Sequence, residues 1–279
     1  MKKLLLTIVT LISTLLLTIT LTSCGKENND GKLVVGFSPD YAPYEFVDLT
    51  KTGNDQYVGA DIELAKFIAK ELGLELVLEP SGFNQCLINL QAGKIDLAIS
   101  GFTYKEDRAK TFEMSTVYYD DGEGDQVVIT TKANLATYPT LTSINASGVI
   151  VGAQAGSVQY DLASTQLPNA KVEQHVNISD MVTYLEAGKL HAIALSQTAA
   201  EALISTNDNI VIVDGKFEIE DSGLYVLGKK GNTELMNKVN VAINKVQAEN
   251  LYKTWMDQAA VLFEALGDKA DQPDLSTEE

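Results

Sequence analysis

Arg108 is the single arginine of this chain; the other twenty of its 21 basic side chains are lysines. Arginine carries a planar, permanently charged fork that grips a carboxylate through two parallel hydrogen bonds, whereas lysine offers a mobile point charge. A position that takes arginine where lysine serves everywhere else is a candidate carboxylate clamp. The competing reading is a charged residue on a solvated helix face. Arg108 ends the stretch Ile95-Asp-Leu-Ala-Ile-Ser-Gly-Phe-Thr-Tyr-Lys-Glu-Asp-Arg108, in which an apolar run long enough for one buried strand meets Gly101 and then a helix start. Thr103 followed by Glu106 spells a capping box. A strand entering a helix through such a loop leaves backbone N–H groups and the positive end of the helix dipole facing the space above the sheet, where an anion fits. Arg108, about one turn into that helix, can reach back over its N-terminus. For Thr103, helix capping is the alternative role.

The elements that must position this loop come in two similar sets. Leu90-Gln-Ala-Gly-Lys-Ile-Asp96 is echoed by Leu185-Glu-Ala-Gly-Lys-Leu-His191, and each reads as a helix stopped by glycine before a strand. Lys32-Leu-Val-Val-Gly36 and Val149-Ile-Val-Gly-Ala153 form a second pair of strands ending at glycine. Asp61 to Leu72 has the helical apolar period and stops at Gly73, and Leu74 to Leu78 then reads as a strand closed by a Pro80-Ser-Gly82 turn. Val127 to Thr131 carries the chain into the second set, and Ser222 to Gly228 brings it back. Glu234 to about Leu266 reads as helical throughout. The expectation is an α/β protein of two lobes, each a mixed sheet flanked by helices: residues 32–127 with 222–266 in lobe 1 and 128–221 in lobe 2. The acidic tail, 267–279, is expected to be disordered. Two crossings imply a hinge and a cleft that close on a ligand.

Residues 1–23 read as an export signal, with Lys2 and Lys3 followed by an apolar and hydroxylic run and small residues before Cys24. Leu21-Thr22-Ser23-Cys24 resembles a bacterial lipobox. By that resemblance the chain is cut before Cys24, its thiol is lipidated, and 24–31 is a linker from the outer face of the membrane. A retained signal anchor is the rival reading, and it also leaves the folded part outside the cytoplasm. Losing two lysines and no acid takes the formal net charge from −17 to −19, which argues against nucleic acid and anionic lipid as partners. Cys86 then has no intrachain partner and sits on a helical apolar stripe, a core position. His175 and His191 are isolated, so no metal motif is visible, and neither a P-loop nor any other cofactor motif is present.

Four blocks taken together carry a family resemblance: Phe37-Ser-Pro-Asp-Tyr-Ala-Pro-Tyr-Glu-Phe46, Val58-Gly-Ala-Asp-Ile-Glu-Leu-Ala-Lys66, Gly93 to Arg108 and Val151-Gly-Ala-Gln-Ala-Gly-Ser157. From about Lys32 to about Ala265 the chain resembles the extracellular solute-binding proteins of polar amino acid ABC importers. The resemblance implies a type II Venus-flytrap fold acting as a monomer, which captures an amino acid or related carboxylate and delivers it to a membrane permease with a cytoplasmic ATPase. It places the ligand carboxylate on Arg108 and the Thr103 loop, with Gly101 and Ser100 on the ammonium side. Ser157 and the N–H of Val158 complete the cage from lobe 2, where Ser157 also reads as a plain N-cap. Tyr41 and Phe83 sandwich the ligand side chain, although periodicity alone makes Phe83 core. Ser38, Gln159 and Tyr118 are further pocket candidates. Ser196 stands where many relatives carry an acid that neutralises the ligand ammonium, so either an acid from elsewhere, such as Asp40, Asp120 or Asp221, replaces it, or the ligand lacks an ordinary amino group. Binding without catalysis is the expectation. The alternatives are an enzyme resembling cyclohexadienyl dehydratases, with Glu123 or Glu45 as general acid, and a sensory module serving a separate receptor.

Overall fold

The computed structural model describes residues 31–120 and 125–271. The signal segment, Cys24, Glu123 and the chain beyond 271 lie outside the described residues. In chain order the elements are β1 (Lys32–Phe37), β2 (Phe46–Asp48), β3 (Tyr57–Val58), α1 (Ala60–Leu72), β4 (Glu75–Pro80), α2 (Phe83–Ala92), β5 (Leu97–Ala98), α3 (Glu106–Thr111) and β6 (Phe112–Met114). They continue with β7 (Gln126–Thr131), the single turns α4 (Lys132–Leu135) and α5 (Leu141–Ile144), β8 (Ile150–Gln154), α6 (Val158–Gln166) and β9 (Lys171–His175). Then follow α7 (Ile178–Glu186), β10 (Ala192–Ser196), α8 (Gln197–Thr206), β11 (Ile210–Ile212), β12 (Leu227–Lys229), α9 (Thr233–Ala248), α10 (Leu251–Leu266) and β13 (Ala270–Asp271).

Two five-stranded mixed sheets organise the chain, in the orders β4-β1-β5-β12-β6 and β9-β8-β10-β7-β11. The two orders match strand for strand. In each, a parallel trio (β4, β1, β5 and β9, β8, β10) is extended by antiparallel pairs, β12 and β6 in the first lobe and β7 and β11 in the second. The sequence echoes mark equivalent corners: Gly93 and Gly188 both adopt the left-handed conformation, at φ +75 and +69, between a helix and a central strand. Both sheets are covered on both faces, as parallel strands require. In the first lobe Leu33, Val35 and Leu97 pack with Leu64, Ile68 and Ile243, while Ala98 and Leu227 pack with Phe83, Cys86 and Leu90 from α2. In the second, Val128, Ala192 and Ala194 face one side and Val127, Ile129, Ile193 and Leu195 the other. Cys86 is buried, and burial raises its thiol pKa to about 12, so its role is packing.

Three expectations need correction. Gln126 and Val127 already pair with Ser196 and Leu195, so the second sheet begins before residue 128. The helix expected from Glu234 to Leu266 is two helices, broken at Asn250, whose φ of +53 is a conformation that asparagine tolerates better than most residues. Residues 267–271 are ordered: Gly267–Lys269 forms a 3-10 turn and β13 pairs with β2. There the Lys269 carbonyl accepts the Leu49 N–H at 2.9 Å and Ala270 packs with Phe46 and Phe263, and these contacts outweigh the polar composition. Among the described residues no helix is long and apolar enough to cross a membrane.

Candidate functional site

The loop after β5 has a shape that favours glycine. Gly101 adopts φ +56, and a Cβ there would stand 3.0 Å from Cε1 of the Tyr41 ring. The Gly101 N–H is held at 2.7 Å by Asp61 Oδ2, and the Ser100 hydroxyl donates to Glu45. Asp61 also accepts from Tyr118 and Tyr252 hydroxyls. The loop backbone is therefore fixed from beneath by two buried carboxyl groups. Burial, and then repulsion from Asp61, hold the Glu45 carboxyl well above the usual carboxylate range; burial raises that of Asp61 as well.

The capping box expected at Thr103 does not form. Helix α3 starts at Glu106 with Lys105 at its N-cap, and no side chain caps it. Thr103 instead bridges to Leu224 on the returning strand segment, which holds it extended, and its carbonyl accepts from Arg108 Nη1 at 2.5 Å. Arg108 is 4% exposed. Its Nη2 donates at 3.1 Å to the carbonyl of Gly156 in lobe 2, and its guanidinium lies 5.2 Å from the Phe102 ring centroid and 5.9 Å from that of Phe83. Two of its five N–H donors thus meet backbone carbonyls, one from each lobe, and among the described residues no carboxylate pairs with it. Burial without a counter-charge lowers its pKa to about 10, with Asp107 and Asp161 opposing the shift at longer range; the group is charged at neutral pH.

A cleft lies between the lobes, and Arg108 stands behind its wall, bonded to the carbonyls of Thr103 and Gly156 without itself entering the lining. Two cavities occupy it, sharing Tyr41, Gly101, Thr103 and Gln159. Next to Arg108 the lining adds Phe83, Gln154, Ser157 and Val158; the other compartment adds Tyr119, Asp120, Gln126 and Ser196. Each has a volume of about 20 Å³, room for a water molecule, which needs roughly 10–15 Å³. The lobes are in contact: Tyr41 Oη donates to Ser196 Oγ at 2.6 Å, and Lys105 pairs with Asp161 of α6 at 2.6 Å. Two roomier concavities, around Trp255 and around Gln247, open to solvent away from Arg108, and their lysines are exposed.

Of the residues singled out in the sequence, Tyr41, Phe83, Gly101, Thr103, Ser157, Val158, Gln159 and Ser196 line this cleft. Phe83 is both wall and core, since it also packs on Phe102 with centroids 4.6 Å apart. Ser157 caps α6, accepting the Tyr160 N–H at 3.1 Å, and faces the cavity as well. Arg108, Ser38, Ser100 and Tyr118 do not line it. Ser38 bonds to Asp40 and Ser100, Ser100 to Glu45, and Tyr118 to Asp61, all behind the wall. Of the acids suggested as a replacement at Ser196, only Asp120 reaches the lining; Asp40 is buried at the lobe junction and Asp221 accepts from the Tyr225 hydroxyl at 2.8 Å. Sequence reading missed Gln154, Gln126 and Tyr119, polar or aromatic residues at strand ends and in a coil, for which no periodicity predicts a cleft. Among the described residues no cluster of His, Cys, Asp or Glu is arranged to hold a metal ion.

The model of the bacterial extracellular solute-binding proteins, family 3, matches residues 33–258. The arginine-binding extracellular protein ArtP of Bacillus subtilis is 31% identical over 254 residues, covering 86% of this chain and 93% of that protein. A solved structure of an amino acid ABC transporter substrate-binding protein, AbpA from Streptococcus pneumoniae, bound to L-arginine, superposes with a TM-score of 0.77 at 36% identity, covering 84% of this chain and 96% of that one. The ancestral amino acid-binding protein AncCDT-1, a precursor of cyclohexadienyl dehydratase, superposes at 0.72 with 28% identity, covering 82% and 95%. With its matched strand orders, its interlobe cleft and a family match over nearly all the described residues, the chain belongs to the bacterial extracellular solute-binding proteins, family 3.

Proposed function

We propose that this protein binds an amino acid between its lobes as the solute-binding component of an ABC importer. The observation that carries the reading is Arg108, a buried guanidinium with donors to spare and, among the described residues, no carboxylate partner, held beside a cleft that both lobes line. A ligand carboxylate supplies the missing counter-charge. Thr103, the Ser157 hydroxyl and the Val158 N–H at the start of α6 surround the same end, where the helix dipole adds to the attraction. Gly101 contributes to the ammonium side, and Tyr41, Phe83 and Gln159 form the walls around the ligand side chain. Because the cavities hold little more than water, entry requires the lobes to part, and ligand contacts available only when they meet favour the closed form. In this reading the export signal is removed, Cys24 carries lipid, and the protein works as a monomer at the outer face of the membrane beside a permease and its cytoplasmic ATPase. Of the two acids named for the enzyme alternative, Glu45 is buried against Ser100 behind the cleft wall, and Glu123 lies outside the described residues. A thermal-shift screen of the twenty amino acids and their deaminated analogues tests the reading. Stabilisation by one or a few amino acids is expected; indifference to all of them contradicts it.

A further inference from the structure

Asp40 sits in the turn after β1, fully buried yet absent from the cavity lining. Its Oδ1 accepts from the Ser38 hydroxyl at 2.7 Å, within lobe 1. Its Oδ2 reaches lobe 2, accepting the Ile178 N–H at 3.0 Å and Gln154 Nε2 at 2.9 Å. Ile178 is the first residue of α7, and the residue at the N-cap, Asn177, makes no side-chain capping bond. A helix start leaves N–H groups that need an acceptor, and an anionic oxygen near the positive end of the dipole is a favourable one. Helix α7 of lobe 2 thus receives its capping carboxylate from lobe 1. That bond exists only while the lobes are together. Parting them returns Asp40 to water and leaves the Ile178 N–H to solvent.

We propose that Asp40 is an interlobe clasp, a positioning residue that caps α7 across the lobe junction and sets how readily the cleft closes, without touching the ligand. The inference rests on the binding reading above, because closure matters to affinity only in a protein that binds between its lobes. Gln154 connects the two, since it lines the cavity while its amide also donates to the Val176 carbonyl at 3.1 Å. A clasp of this kind acts on the closing equilibrium alone: when the fraction of closure-competent protein falls, apparent affinity for every ligand falls by that same factor.

The test is calorimetry on wild type, Asp40→Ala and Asp40→Asn against the two amino acids that stabilise the wild type most in a screen of all twenty. Loss of the charge-assisted acceptor in Asp40→Ala is expected to raise both dissociation constants by about tenfold or more, with their ratio unchanged. Asp40→Asn keeps one acceptor oxygen and is expected to fall between. Amide exchange read at Ile178 in the ligand-saturated protein distinguishes a clasp from a generic packing role: faster exchange is expected in Asp40→Ala. If that variant does not fold, Gln154→Ala combined with Asp40→Asn serves, and the double variant is expected to lose less than the sum of the single ones. Unchanged affinity, a change in selectivity between the two ligands, or wild-type exchange at Ile178 each overturns the clasp. A wild type that binds none of the twenty instead overturns the binding reading, and the clasp with it.

Discussion

Replacing Arg108 by lysine keeps a positive charge and removes the fork. In the wild type the guanidinium donates through Nη1 to the Thr103 carbonyl in lobe 1 and through Nη2 to the Gly156 carbonyl in lobe 2, and still has donors for a ligand carboxylate. A lysine ammonium in the same place has three donors on one atom and cannot serve both carbonyls and both oxygens of a carboxylate in one plane. A hydrogen bond to a charged group contributes about 1.5–3 kcal/mol, so loss of one such bond to the ligand is expected to weaken binding by about 2 kcal/mol, roughly 30-fold in Kd. Loss of the Gly156 contact adds to this, because that bond exists only in the closed arrangement. The stack against Phe102 and Phe83 gives the charge an aromatic setting that an ammonium fills less well. Isothermal titration calorimetry with the tightest-binding amino acid measures the difference, and thermal unfolding without ligand checks that the variant is folded. An Arg108→Lys protein that is folded and binds within about threefold of the wild type refutes the clamp.

Tyr41→Phe removes the hydroxyl that reaches Ser196 across the cleft while keeping the ring, and calorimetry is expected to show a loss of about 1 kcal/mol, near fivefold in Kd; no loss places that bond outside the closed complex. Gly101→Ala forces a side chain into a left-handed backbone conformation against the Tyr41 ring, a strain of about 1–2 kcal/mol, so a lower Tm together with weaker binding is expected, and a wild-type Tm argues against the loop geometry. Glu45 contributes to the pH dependence of stability, as do Asp61 and Asp40, whose carboxyls burial also raises. The folded Glu45 carboxyl titrates well above its ordinary value of 4.5 because it is buried beside Asp61; the stability this proton provides is present below pH 4.5 and is lost as pH rises through the folded value. Glu45→Gln stays neutral throughout, so its Tm relative to wild type is expected to rise between pH 4.5 and pH 8, and parallel profiles in calorimetry contradict the buried pair.

Much of the fold is legible because its signals are local. The left-handed glycines at 93 and 188 and the helical stripes before them follow from short-range sterics and periodicity, and they reveal a duplicated topology that the two strand orders reproduce. Arg108 stands out by composition alone. What is not legible depends on residues distant in the chain. Thr103 has the letters of a capping box, but Leu224 pairs with it and the helix begins later. Asp40 reads as a candidate counter-charge for the ligand, and only the meeting of two lobes brings Ile178, 138 positions away, to its carboxylate. Asp61 looks like ordinary acidic enrichment in a first helical turn; its role under Gly101 appears once β5 and α1 pack together. The break at Asn250 was hidden because both halves share the helical period.

A crystal structure of the protein with its tightest-binding amino acid decides whether Arg108 is the carboxylate clamp. Both carboxylate oxygens of the ligand are expected within hydrogen-bond distance of the Arg108 guanidinium, between Thr103 and the start of α6, with Tyr41 and Phe83 flanking the side chain. A ligand seated elsewhere, or one whose carboxylate faces away from Arg108, contradicts the clamp.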